Sequence, residues 1–186
     1  MTSNRLAQLS QRMAAVTLFL IVAMLVINMV IWLFPVLAAK DGWGLGFALT
    51  ERQLSPLADQ AASLPWWQIV GGMVVSSVPL LALAYGLGHL RRLFQSYSRG
   101  EYFSSGAAVH LGWVGRAVAL WVLLDFLCEP LLSVWLTINA PVGERLITLS
   151  VTAPTFVALF LAACISIIAR ILRQASEVDS EYRTFV

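Results

Sequence analysis

Residues 109–136 read VHLGWVGRAVALWVLLDFLCEPLLSVWL, an apolar run interrupted only by His110, Arg116, Asp125 and Glu129 among its ionisable nitrogen and oxygen groups. A hydrocarbon core of about 30 Å is crossed by about 20 apolar residues in a helix, so this stretch is long enough to span a membrane. It shows none of the alternation of a barrel strand, and backbone groups in lipid must then be satisfied within a helix. Three further runs have the same character, at residues 13–37, 66–87 and 151–172. The sequence therefore predicts an all-α protein, an integral membrane four-helix bundle forming a single membrane domain over residues 1–186.

Composition agrees. Hydrophobic residues make up 59% of the chain and charged residues 12%, against about 25% charge in a typical soluble domain. Mean hydropathy is +0.80. The net charge of +2 is too small, and its arginines too scattered beside apolar runs, for a nucleic-acid partner. The obligatory partner is the lipid bilayer. The two cysteines, Cys128 and Cys164, lie inside apolar runs without CxxC or Cys/His spacing, and read as buried thiols.

Basic residues set the expected orientation. Arg5 and Arg12 precede the first run, Arg91, Arg92 and Arg99 lie between the second and third, and Arg170, Arg173 and Arg183 end or follow the fourth. The opposite side holds only Lys40, Arg52 and Arg145. Both termini are thus expected on the cytoplasmic side. Trp66, Trp67 and Trp135 suit the outer aromatic belt. Val36-Leu37-Ala38 resembles a signal-peptidase site, but the preceding run exceeds an h-region of about 7–15 residues, so an uncleaved helix is expected. The outer loop, 38–65, carries GWGLGF at 42–47, which reads as an interfacial tether, and Ser55-Pro56, a helix-start signal.

The inner loop, 88–108, carries HLRRLFQSYSRGEYFSSGAAVHLG at 89–112. Leu90, Leu93, Phe94 and Tyr97 recur at helical spacing, which predicts that the second helix continues past the apolar run. Gly100 offers a stop, and Ser104 or Ser105 a cap for the next helix. The positions Leu93, Phe94, Arg99, Gly100, Glu101 and Phe103 resemble the Leu-Phe, Arg-Gly-Glu and Phe pattern of a bacterial membrane family known as domain of unknown function 2975. The closing ASEVDSEYRTFV, residues 175–186, is similar to that family's ending. The resemblance implies the four-span layout and no established catalysis; some relatives are encoded beside small helix-turn-helix regulators, which by analogy implies a regulatory role. Physically, Arg99, Gly100, Glu101 and Phe103, with Glu181 and its acidic neighbours in the tail at 173–186, form a candidate cytoplasmic docking surface. The alternative is a purely structural hairpin.

Asp125 and Glu129, one turn apart, fall within about 40° of one another on the helix. An Asp at the centre of an inserted helix costs about 2.5–3.5 kcal/mol, so the pair is expected to face inward and to be neutralised by a polar group, a proton or a cation. Depth counting aligns Asn28, Ser76, Ser77 and Thr155 with them, a candidate interhelical polar layer in which Asn28 is a neutral ligand. One reading is interhelical glue, the other a proton or cation site. Pro79, Pro130 and Pro154 each remove a backbone donor in or near the spans. Arg116 is expected to snorkel to the headgroups. Small residues four apart, at Gly72/Ser76, Ala84/Gly88 and Ala158/Ala162/Ser166, suit close helix contacts and are compatible with a homo-oligomer. His89 and His110 sit near the inner ends of adjacent antiparallel spans, either as two interfacial imidazoles or meeting as two axial haem ligands or part of a metal site. With no further His/Cys cluster, neither a metal nor another cofactor is expected. No nucleophile–base or Gly-rich phosphate motif is present, so the sequence points to a non-enzymatic protein acting through a membrane or cytoplasmic partner, with a small proton or cation transporter as the alternative.

Overall fold

In a soluble protein the large apolar side chains turn inward, whereas here they turn outward. Phe19, Phe156 and Phe160 are each at least 65% exposed, while Asn28, Gln68, Ser76 and Glu129 are at most 3% exposed. Contiguous apolar surface on this scale needs hydrocarbon around it. The computed structural model describes residues 2–34, 65–99, 105–138, 149 and 153–184, and within these the side chains of 7–34, 65–99, 106–138, 149 and 153–176.

Among the described residues the chain is all-α, with four helices: α1, Thr2–Leu33; α2, Trp66–Ser98; α3, Ser105–Leu136; and α4, Ala153–Thr184. Each contains a stretch long and apolar enough to cross a membrane, within Ala7–Leu33, Trp66–Ser98, Gly106–Leu136 and Ala153–Ser176 respectively. Helices of 32 or 33 residues are about 48–50 Å long at 1.5 Å per residue, more than a hydrocarbon core requires. This explains why α1 begins well before residue 13 and α4 runs well past residue 172. Hydropathy marks where a helix crosses lipid, whereas the backbone ladder continues for as long as residues such as Arg173, Gln174 and Ala175 tolerate it. Pro154 sits in the first turn of α4, where a missing N–H is harmless. Pro79 and Pro130 lie inside α2 and α3 and leave the carbonyls of Val75 and Phe126 without their helical donors. The outer-loop features at 38–64, together with Gly100, Glu101, Phe103 and Ser104, fall outside the described residues.

The packing divides into two compact units. The first comprises Met1–Ile21, Ala82–Leu120 and Ala153–Val186. Small residues line its helix contacts. A Cβ added to Gly86 would stand 2.7 Å from the Cβ of Ala117, and one added to Gly115 would stand 3.0 Å from the carbonyl oxygen of Ala162. The first is closer than two carbons tolerate, and the second adds to a clash at 2.5 Å with Ser166 Oγ, so glycine is what lets α2 approach α3, and α3 approach α4, at these points. The small-residue stripe of α4 is used here, with Ala162 buried and Ser166 half-buried against Gly115.

The second unit comprises Val22–Leu81 and Trp121–Thr152. Its centre is Trp32, Cys128, Leu132 and Leu136, flanked by Ile31, Ile69, Met73 and Val75. Adjacent glycines on α2 make the centre possible. A Cβ on Gly72 would fall onto the Trp32 ring of α1, and a Cβ on Gly71 onto the Trp135 ring of α3. The Gly72/Ser76 spacing thus forms a notch for an indole from the same chain. Gly72→Leu would force Trp32 out of that notch; overpacking of this kind costs about 1–3 kcal/mol, read as a lower Tm of the purified protein in detergent. A Tm equal to that of the wild type would show that Trp32 does not occupy the notch.

Candidate functional site

The polar side chains of the second unit form a directed relay. The Trp32 indole N–H donates to Ser76 Oγ at 2.8 Å, and Ser76 Oγ lies 3.2 Å from both Asn28 Oδ1 and the Met73 carbonyl. Asn28 Nδ2 donates to Ser77 Oγ at 3.2 Å, and Ser77 Oγ donates to the Met73 carbonyl at 2.6 Å. A single hydroxyl accepts from one helix and donates onward, so each serine spends both its donor and an acceptor site. Asn28, Ser76 and Ser77 are therefore brought together as their depths in the sequence suggested. Trp32, wholly buried, is the member that sequence reasoning missed. Its signal was faint: one indole in an apolar run, four residues after Asn28.

Gln68, 1% exposed, was also passed over. Its Nε2 lies 3.3 Å from the Trp135 carbonyl, and Trp135 Nε1 donates to the Gln68 carbonyl at 3.2 Å. Trp67 meets the Trp135 ring edge-on, with centroids 5.5 Å apart. Trp67 and Trp135, two of the three tryptophans expected at the membrane interface, thus join α2 to α3. On α3, Glu129 is 2% exposed, whereas Asp125 is half-buried at the rim of the same face. Both have interaction partners, and no buried side-chain nitrogen or oxygen among the described residues is unsatisfied. Thr155, aligned with this group in the sequence, belongs to the first unit.

The first unit holds a second polar contact. His89 and His110 meet with their Nδ1 atoms 3.0 Å apart, within a ring cluster. His89 stacks on Trp113 at 5.8 Å and 19°, and Tyr85 packs edge-on against His89 at 4.7 Å. One imidazole must donate and the other accept, so the contact holds only while at least one Nδ1 is deprotonated. The 3.0 Å spacing is that of a direct hydrogen bond. At roughly 2.0–2.1 Å from the ion, two axial ligands of one iron would stand about 4 Å apart and two ligands of a tetrahedral metal about 3.3 Å. Among the described residues no group of three or more His, Cys, Asp or Glu side chains is placed to hold a metal ion. Arg116, which the sequence sends to the headgroups, is exposed and carries its guanidinium 5.0 Å from the Trp113 ring centroid.

These contacts sit on either side of the sequence pattern quoted for the turn between α2 and α3. The chain matches the family described as protein of unknown function (DUF2975) over residues 49–184, well over half its length. It belongs to that family. No curated protein and no solved structure matches it.

In this DUF2975 chain, Leu93 of the pattern is buried, Phe94 is half-buried, and Arg99 is exposed in the turn that follows α2, with its N–H bonded to the Ser96 carbonyl at 3.0 Å. Glu181 lies in α4, with its side chain outside the described residues. The indole relay is measurable. A double-mutant cycle of Trp32→Phe and Ser76→Ala should return a coupling of about 0.6–1.7 kcal/mol, the range for hydrogen bonds between membrane helices. Zero coupling would mean that the indole finds another acceptor.

Proposed function

We propose that this protein is a non-enzymatic component of the bacterial inner membrane, with both termini in the cytoplasm, that acts by binding a protein partner at the turn joining α2 and α3. The observation that carries this reading is the double tie beside that turn. Gly86 abuts Ala117, and one turn closer to the loop His89 bonds His110 at 3.0 Å. Two ties at successive levels hold α2 and α3 side by side, which would give a partner-binding segment between them a rigid base. Rigid presentation lowers the ordering cost of binding. Arg99, exposed where α2 ends, is then the first docking residue, with Gly100, Glu101 and Phe103 following it and Glu181 from the tail as a further contributor. Basic residues flanking the apolar runs support the cytoplasmic placement. The absence from the sequence of a nucleophile–base pair or phosphate loop supports action through partners. After mild solubilisation the wild-type chain should co-purify with a defined partner, and Arg99→Ala with Phe103→Ala should release it without lowering Tm. A monodisperse wild-type chain that retains no partner under several conditions would count against the reading.

One observation favours a second reading, a small proton or cation transporter. Glu129 is 2% exposed in a unit that also buries Asn28, and an ionisable group inside a membrane helix marks an ion pathway by default. On this reading liposomes containing the chain show a flux that Asp125→Asn and Glu129→Gln abolish. Equal flux in the wild type and both variants removes it.

A further inference from the structure

Within the first unit, one face of α1 and one face of α2 enclose an open groove of about 570 Å³, inside the size range of small-ligand sites. We propose that it binds one anionic phospholipid, with the phosphate held by Arg91 and Arg99 and an acyl chain laid along Ala14, Ala15 and Leu18. The lining is graded. From α1, Gln8 and Gln11 give way toward the helix interior to Ala14, Ala15 and Leu18. From α2 come Arg91, Gln95, Ser98 and Arg99, spaced so that they share a face. Two guanidiniums and three amides line the groove, and among the described residues no carboxylate does.

That arrangement matches a phosphate, which a guanidinium binds with paired N–H donors. The depth is also right. The apolar run of α1 begins at residue 13 and that of α2 ends at 87, so Gln8, Gln11, Arg91, Gln95 and Arg99 lie beyond the apolar runs, toward the headgroups, and Ala14, Ala15 and Leu18 within them. Ala14 is buried, forming the floor, whereas Ala15 and Leu18 are exposed and open the apolar end to the surrounding hydrocarbon. A soluble phosphate or an acidic peptide has no use for an apolar slot that opens sideways into lipid. A phospholipid uses both ends.

The test is lipid retention by the full-length protein in mild detergent, counted by native mass spectrometry after addition of phosphatidylglycerol or phosphatidylcholine. One phosphatidylglycerol per chain is expected, held at least about tenfold more tightly than phosphatidylcholine. Arg91→Gln with Arg99→Gln should weaken it roughly 30-fold, the effect of two basic residues at an anionic surface. Ala15→Phe keeps both arginines but fills the slot, and should also lose the lipid. Arg12→Gln removes an exposed charge from the same helix outside the lining, and should leave retention unchanged. Equal retention of the two lipids, loss in Arg12→Gln as large as in the double variant, full retention by Ala15→Phe, or displacement by inorganic phosphate or an acidic peptide would each overturn the proposal.

Discussion

A polar side chain carried into hydrocarbon has to find its partner on another part of the protein, and most of the specific packing in this chain answers that requirement. Water is not there to accept the Trp32 indole N–H or to solvate the Asn28 amide. Ser76 and Ser77 do so instead, and pass the surplus to the Met73 carbonyl on their own helix. The relay also sets register. Asn28 faces Ser77 and Trp32 faces Gly72 and Ser76, so the partner's number falls as that of α1 rises, as it must for antiparallel helices. Sliding α1 by one residue would rotate Asn28 away by about 100° and drive the indole into a side chain instead of a glycine. Steric fit and hydrogen bonding therefore select the same alignment, and each would be weaker evidence alone.

What the sequence conveyed follows from which signals lipid amplifies. Four apolar runs are legible because nothing else explains them, and the recurrence of Leu90, Leu93, Phe94 and Tyr97 marked α2 as running past its apolar part. Asn28, Ser76 and Ser77 could be grouped by counting depth, since antiparallel helices of known ends place residues at calculable levels. Rotation about each helix axis was not legible. In a soluble helix the contrast between a polar and an apolar face reveals which side packs inward, and that contrast fades when lipid-facing and protein-facing sides are both apolar. For that reason Asp125 and Glu129, although only about 40° apart, differ in burial: the helix is turned so that Glu129 points inward and Asp125 sits at the rim. Trp32 and Gln68 were missed for the same cause. A tryptophan in an apolar run looks like a lipid-facing or belt residue until the glycine opposite it is known.

The two histidines show the complementary case, in which proximity was legible and chemistry was not. Their places near the ends of adjacent antiparallel spans allowed them to meet; only the structure shows the rings in direct contact, Nδ1 to Nδ1 at 3.0 Å. With Trp113 stacked on His89 and Tyr85 at its edge, the pair is embedded in an aromatic cluster. An imidazole–imidazole bond is an uncommon way to tie helices, because it depends on the protonation of both rings, where a Ser–Asn contact does not. Protonation of both rings would break this tie between α2 and α3, whereas the second unit's relay of Asn, Ser and Trp has no titrating member.

The same comparison bears on Glu129. Neutral amide and hydroxyl groups already fix α1 against α2, so joining those helices does not require a charge. A glutamine at 129 would fill nearly the same volume and offer hydrogen bonds without the desolvation that an ionised carboxylate meets in a membrane interior. An acid also differs from its amide in what it offers a partner: ionised, it accepts on both oxygens and donates nothing, and protonated it donates once, whereas an amide accepts on one atom and donates twice from the other. The protonation of Glu129 therefore decides both which groups it can hold on the neighbouring helices and whether it attracts a cation.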